Sequence, residues 1–308
     1  MPSRRSKTRT PCHSRRYGSS SPDERSIDHI RTGIEGSGDL SPFRTGPMKW
    51  QNTEQYEWLQ ALSAHGLAWE FLRRNRAYRS AAANLGVTWP PDGSPPDETW
   101  SAGDQMSEAR EWGLLLFETP DRDAREANIF WMPEFCPSVL PVVASQNVGH
   151  VSGRFLNLSR LRCRNVLIPG EDIQHLLCAD QGRFLQLSVT GECLTRPVQV
   201  LANVLPMTPY SETRWRGFRR LNDLVCTETL RTKFYPPDLG ARRLSRVLQA
   251  LDGYLAGASQ REVAVALFGA ERVEADWRDP RNHLCDQVRR AIRRGRDLMN
   301  GGYLKLLR

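Results

Sequence analysis

The sequence predicts an α+β fold that is mainly helical. Three observations support this prediction: apolar residues recur at helical spacing between Trp50 and about Ala83, short strand-like runs follow as far as about Val204, and three amphipathic segments fill the C-terminal end. The 308 residues are enough for two modest domains. We expect a small helix/strand domain at residues 48–146 and, at residues 147–308, a short antiparallel sheet followed by three helices.

Residues 1–47 are predicted to be a disordered basic tail. The first twenty residues contain six basic side chains and no acidic one, mixed with Ser, Pro, Gly and Thr. Such a segment cannot bury enough apolar surface to offset the entropy that it would lose on ordering. It is either a basic arm that touches DNA phosphates or an extension upstream of a native start at Met48, and we favour the second interpretation.

The N-terminal domain is predicted to combine helices with short strands. Apolar residues from Tyr56 onward have helical spacing until Gly66, which we expect to end the first helix. A second helical stretch runs from about residue 67 to 83. Residues 112–117 and 129–132 are apolar runs bounded by breakers or charges, which indicates short buried strands.

A small sheet is predicted at the start of the C-terminal domain. Four strand-like runs are separated by turn residues, and they span residues 154–158, 166–168, 183–189 and 198–204. Their short connections favour antiparallel pairing. A helix is expected from Ser211 to Pro236, with Trp215, Phe218 and Leu221 on its apolar face.

Three helices are predicted after this sheet. The first covers residues 244–255, where apolar residues follow the helical i, i+3, i+4, i+7 pattern. Ser259 and Glu262 form the capping-box signature that opens a short second helix ending at Gly269. The third begins at Asp279-Pro280, an N-cap followed by proline, and continues to about Asn300.

The third helix carries much of the positive charge of the chain. Residues 280–308 contain eight basic side chains and two acidic ones, whereas the whole chain has a net charge of +8. Leu284, Val288 and Ile292 form an apolar stripe, and the arginines fall outside it. We therefore expect the arginines to face solvent.

The order of a long helix, a short capped helix and a basic helix is that of a helix-turn-helix motif, in which the third helix reads base edges. Arg281 can pair with guanine, Asn282 with adenine, and His283 can donate a hydrogen bond. Later arginines would contact phosphates, as would residues at the start of the second helix. The predicted DNA-binding residues are Ser259, Gln260, Arg261, Arg281, Asn282, His283, Arg289, Arg290, Arg293, Arg294 and Arg296.

One feature departs from a plain helix-turn-helix motif. Ten residues separate Phe268 from Asp279, whereas a plain motif turns in about three or four. The acidic segment from Ala270 to Trp277 could form a helical turn of its own, which would make this a variant motif. The alternative interpretation is a solvated basic face on an ordinary three-helix bundle.

Other classes of protein are disfavoured. The sequence contains no G-x-S-x-G, H-E-x-x-H, Walker or dinucleotide-binding motif, so we expect neither an enzyme nor a cofactor. The seven cysteines have no regular spacing, and His175-x-x-Cys178 lacks a second ligand pair for zinc. Neither an apolar run of about 20 residues nor a secretory signal is present, which predicts a cytoplasmic protein without membrane contact.

Two sequence motifs resemble known domains. Gly253 to Gly269, with Val288-Arg-Arg and Gly302 to Leu307, resembles a proteobacterial domain of unknown function found in regulators of integrative and conjugative elements and regarded as a helix-turn-helix variant. The motif Trp69-Glu-Phe-Leu-Arg-Arg-Asn75, followed by Tyr78, is similar to the transcriptional-regulator domain often paired with it.

The resemblance implies a DNA-binding activator of the excision or transfer genes of a mobile element, with double-stranded DNA as its partner. RNA polymerase or another transcription regulator would be a further partner. Relatives that have the C-terminal domain alone imply an alternative, an antiactivator that sequesters a partner transcription factor. In the tryptophan motif, the aromatic side chains are expected in the core. Arg73 and Arg74 are left open as possible contacts to DNA or polymerase.

Overall fold

The computed structural model describes residues 49–84, 102–146, 153–202, 210–277 and 283–308, so the prediction of a tail at 1–47 lies outside the described residues. The N-terminal part begins with a 3₁₀ helix, Thr53–Ala61, followed by α1 (Ala64–Leu72), α2 (Arg76–Asn84), α3 (Ala102–Ala109) and a 3₁₀ turn, Arg110–Trp112.

Two predicted helix boundaries in this part are wrong. Gly66 lies inside α1, buried against Leu62, and does not end a helix. The predicted helix over residues 67–83 is divided into α1 and α2. The side chain of Asn75 accepts hydrogen bonds from the backbone N–H groups of Ala77, at 2.8 Å, and Tyr78, at 3.1 Å. It thereby starts a new helix, as an N-cap residue does.

The two strands predicted at 112–117 and 129–132 do not form. A single antiparallel bridge between Leu114 and Trp131 joins these segments. Both segments are nevertheless largely buried, because their side chains pack into two neighbouring apolar clusters. Their apolar composition therefore indicates burial and not a strand ladder.

A five-stranded sheet occupies the middle of the chain. Its strands are β1 (Leu140–Ser145), β2 (Arg164–Ile168), β3 (Ile173–Asp180), β4 (Arg183–Gly191) and β5 (Gln199–Ala202), in the spatial order β2-β3-β4-β1-β5. All neighbouring pairs are antiparallel except β1 and β4, which are parallel.

The predicted strands correspond only in part to this sheet. The predictions at 166–168, 183–189 and 198–204 fall on β2, β4 and β5, although residues 203 and 204 lie outside the described residues. The predicted strand at 154–158 forms only a bridge between Leu156 and Val198, and a 3₁₀ turn, Leu158–Arg160, follows it. Strands β1 and β3 were not predicted. The domain boundary near residue 146 stays a prediction, and β1, which precedes it, pairs with β4 and β5, which follow it.

After the sheet, residues 210–277 and 283–308 contain five helices: α4 (Ser211–Thr227), α5 (Ala241–Leu255), α6 (Gln260–Phe268), α7 (Ala270–Asp276) and α8 (Leu284–Met299). Short 3₁₀ helices cover Thr232–Phe234 and Gly302–Leu307. Helix α4 ends at Thr227 and not at Pro236, because Glu228 adopts a left-handed conformation with φ of 60°. The α+β class is confirmed, and the acidic segment after Phe268 forms α7.

One apolar cluster joins the N-terminal helices to the C-terminal ones. Side chains from the first 3₁₀ helix and α1 pack with side chains from α5, from the end of α8 and from Gly302–Leu307; those buried include Tyr56, Leu59, Leu67, Trp69, Leu248, Leu251, Leu298, Tyr303 and Leu307. A second cluster lies between the sheet and α4, and a third lies among α5, α6, α7 and α8. No helix of the described residues is long and apolar enough to cross a bilayer.

Candidate nucleic-acid interface

The apolar side of α8 is buried against the helices before it. Leu284, Val288 and Ile292 pack in one cluster with Ala250 of α5 and Val263 of α6. Gly295 allows α8 to approach α5 closely. A Cβ atom at this position would lie 2.9 Å from the Cβ of Leu251 and 3.2 Å from the carbonyl oxygen of Val247. These contacts fix which side of α8 is left for solvent.

The arginines of α8 occupy the opposite side and are all exposed, as predicted. Arg289, Arg293 and Arg296 follow at i, i+4 and i+7, and so form one line along the helix, which we call the arginine row. Arg290 and Arg294 lie beside it on a second line. Within the described ranges, no ion pair involves Arg290, Arg293 or Arg294. Their charge is therefore available to an external anion.

The start of α6 contacts the arginine row. The side-chain oxygen Oε1 of Gln260 accepts hydrogen bonds from Nε of Arg289, at 3.2 Å, and from Sγ of Cys285, at 3.7 Å. Arg289 also lies 3.7 Å from the carboxylate of Asp286. Gln260 and Arg289, which are distant in sequence, thus belong to one surface, and Arg261 beside them is exposed.

Tyr254 extends this surface at the other end of the row. The apolar periodicity of residues 244–255 predicts Tyr254 on the buried face of α5, but 41% of it is exposed. The guanidinium carbon of Arg296 lies 5.1 Å from the centre of its ring, within the range of a cation–π contact. Tyr254 lies in the last turn of α5, and the end of an amphipathic helix is where the sequence could have indicated an incompletely buried side chain.

The predicted capping box is present at the start of α6. The hydroxyl of Ser259 accepts a hydrogen bond from the N–H of Glu262 at 3.3 Å, and the carboxylate of Glu262 accepts one from the N–H of Ser259 at 2.8 Å. Hydrogen bonding of its carboxylate to the backbone and the side chain of Ser259 lowers the pKa of Glu262. A carboxylate therefore already occupies this helix end, and the neighbouring side chains of Gln260 and Arg261 are the polar groups that it presents to solvent.

Of the three predicted base-reading residues, the described ranges include His283. Arg281 and Asn282 lie outside the described residues, as does the start signal Asp279-Pro280. His283 is exposed and directly precedes α8, with Nδ1 4.0 Å from a carboxylate oxygen of Asp286. His283 is thus placed at the N-terminal end of the arginine row.

The sequence left open whether Arg73 and Arg74 contact DNA or polymerase. Both side chains are largely buried and make contacts inside the fold. Arg73 binds Glu70 at 2.7 Å and the carbonyl oxygen of Pro120 at 3.1 Å. Arg74 binds both Glu70 and Asp252 of α5. These hydrogen bonds use both guanidinium groups inside the fold, so the pair does not form an external contact surface.

A histidine, a serine and a cysteine lie close together beside the sheet. Oγ of Ser138 lies 2.6 Å from Nε2 of His65 and 3.2 Å from Sγ of Cys136. Burial, together with repulsion from Arg220, lowers the pKa of His65 to about 4, and burial raises the pKa of Cys136 to about 11. In the part of the chain that the structure describes, no group of three His, Cys, Asp or Glu side chains could hold a metal ion.

Comparison with protein-family models gives two matches. Residues 49–116 match a model described as a proteobacterial transcriptional regulator-like domain, and residues 204–308 match one described as "T6SS, Transcription factor, DNA binding domain", the RovC type. The chain is a DNA-binding transcriptional regulator. A search of curated proteins gave no match.

The matches place the features described above in the regulator. The tryptophan motif from Trp69 to Asn75 lies in the regulator-like domain, and the capping box and the arginine row lie in the DNA-binding domain. The resemblance inferred from the sequence motifs is therefore confirmed at the level of the two domains.

Proposed function

We propose that the regulator binds double-stranded DNA sequence-specifically through the exposed side of α8. The observation that carries this proposal is the division of α8 into a buried apolar side and an exposed side with five arginines. Arginine is suited to phosphate recognition because its guanidinium group presents several donors in a fixed geometry. The arginine row would contact phosphates, and Arg281, Asn282 and His283 would reach base edges.

The proposed motif is a helix-turn-helix variant. Helix α6 would brace the motif, α7 would replace the usual short turn, and α8 would enter the major groove. The contacts of Gln260 with Cys285 and Arg289 support this arrangement, since they hold the start of α6 against the first two turns of α8.

We further propose that the regulator is a non-enzymatic activator that acts in the cytoplasm on excision or transfer genes of a mobile element. The resemblance to regulators of conjugative elements supports this role. The description of the matched DNA-binding model names T6SS, and genes of that system are the second candidate target. RNA polymerase or another regulator would be the protein partner of an activator.

Fluorescence anisotropy of the full chain on promoter DNA tests DNA binding. We expect R289A/R293A to weaken binding and to reduce the slope of log K against log salt by about 2, because each lost phosphate contact removes about one counterion. R289K/R293K keeps the charge and should retain most of the slope. R79A/R110A removes two exposed arginines from the regulator-like domain and serves as the matched control.

Base reading has its own test. Alanine at Arg281 or Asn282 should relax specificity at one base position, at a cost of about 1–3 kcal/mol for the preferred base. An R289A/R293A protein that binds DNA as tightly as the unmodified chain would contradict the proposal. Recovery of a partner regulator, together with DNA affinity only at the non-specific level of about 10⁻⁴–10⁻⁶ M, would instead support the antiactivator.

A further inference from the structure

A second basic cluster surrounds the ring of Phe234. The guanidinium carbons of Arg219 and Arg231 each lie 5.7 Å from the centre of this ring, and Nζ of Lys233 lies 4.9 Å from it. Arg219 belongs to α4, whereas the other two cations lie in and next to the 3₁₀ helix Thr232–Phe234. The fold thus brings three cations, all exposed, around one aromatic side chain.

This cluster has more positive than negative charge. Arg231 is paired with Asp223, whose carboxylate accepts a hydrogen bond from Nε of Arg231 at 2.8 Å. For Arg219 and Lys233, no carboxylate partner is found among the described residues. Arg219 and Lys233 therefore repel each other across the ring, and a bound anion would relieve that repulsion.

The exposed ridge of α4 continues this surface. Trp215, predicted on the apolar face of this helix, is instead 59% exposed and lies one turn before Arg219. Its ring meets that of Phe218 edge to face, with centres 6.2 Å apart. Arg216 is also exposed and lies 3.3 Å from Glu212, a surface ion pair of small energetic value. Cations clustered on one exposed face are the electrostatic signature of a surface that binds nucleic acid.

We propose that this α4 patch, formed by Trp215, Arg216, Arg219, Arg231 and Lys233, is a second DNA-binding surface. It would bind the phosphate backbone of the duplex that α8 reads, without distinguishing its sequence, so the inference rests on the proposed function. Charge complementarity supports DNA as the occupant. The patch also lies within residues 204–308, the segment that matches the DNA-binding model.

The salt dependence of DNA binding tests the α4 patch. The full chain and its R219A/K233A variant are titrated with operator and random duplexes from about 50 to about 200 mM salt. We expect the slope of log K against log salt to fall by about 2, and binding to both duplexes to weaken by the same factor. Both substituted residues are exposed, and Arg231 is left in place because it pairs with Asp223.

Controls separate this inference from the proposed function. R79A/R110A makes the same change in net charge elsewhere and should leave the slope nearly unchanged, and R219K/K233R should retain it. If R289A/R293A weakens binding but R219A/K233A does not, the α4 patch is not a DNA contact, and an acidic protein becomes the alternative occupant. If only R219A/K233A weakens binding, the α4 patch is supported and the assignment of α8 is overturned.

Discussion

Arg74 donates hydrogen bonds to both carboxylate oxygens of Asp252, from Nε at 2.5 Å and from Nη2 at 2.9 Å. The first residue lies just after α1 in the regulator-like domain, and the second lies in α5 of the DNA-binding domain. Both side chains are largely buried. The hydroxyl of Tyr56 donates to the same carboxylate at 2.6 Å, and Glu70 holds the other side of the guanidinium group.

Removal of either partner should destabilise the whole protein. We expect R74A or D252A to lower the free energy of unfolding by about 3–5 kcal/mol, because R74A leaves the buried Asp252 carboxylate without its cation and D252A leaves Arg74 with Glu70 alone. Urea denaturation measures the loss. R79A, which breaks the exposed pair between Arg79 and Asp121, is the matched control and should cost less than about 1 kcal/mol. Equal losses of unfolding free energy in R74A and R79A would show that the buried ion pair contributes no more to stability than the exposed one.

The stability of the fold should decrease in mild acid because of His65. Its pKa is about 4 in the folded protein, against about 6.5 for a histidine in water, since burial and Arg220 disfavour its charged form. The unfolded chain therefore binds this proton first as the pH falls below 6.5. We expect a loss of roughly 3 kcal/mol, which begins below pH 6.5 and is complete near pH 4.

Urea denaturation at several pH values measures this loss, and His65→Gln is the comparison because it cannot titrate. The free energy of unfolding should depend less on pH in the variant between pH 6.5 and 4. Parallel pH profiles for the two proteins would contradict the prediction, whatever the absolute stability of the variant.

Gly295→Ala should separate α8 from α5. The added Cβ would meet the Cβ of Leu251 and the carbonyl oxygen of Val247, neither of which can move freely. We expect a cost of about 1–3 kcal/mol in stability and weaker DNA binding. Gln287→Ala, on the exposed side of α8, should change stability by less than about 0.5 kcal/mol. If helix propensity alone decided the result, Gly295→Ala would instead stabilise the protein by about 1 kcal/mol.

The C-terminal helices were predictable because their signals are local. The apolar periodicity of α5 and α8 and the capping box at Ser259 depend on residues only three or four positions apart. The same helical periodicity placed the arginines of α8 on the exposed side. Local signals of this kind change little with the rest of the fold.

The sheet was harder to predict because its strands depend on distant partners. Strand β1 contains Pro141 and pairs in parallel with β4, about 45 residues further along the chain. Six consecutive residues of β3 are buried, so the alternation expected of a strand with one exposed face is missing. Likewise, no local pattern indicated that Lys233 and Arg231 would fold back beside the arginines of α4.

The apolar cluster that contains side chains from both the N-terminal and the C-terminal helices limits which segments such regulators can exchange. Leu248 and Leu251 of α5 and Tyr303 near the C terminus pack with Tyr56 and Trp69, which lie outside residues 204–308. A graft of that segment onto another protein would expose this face of α5 to water. The unit that can be exchanged between relatives without repacking therefore includes the 3₁₀ helix Thr53–Ala61 and α1.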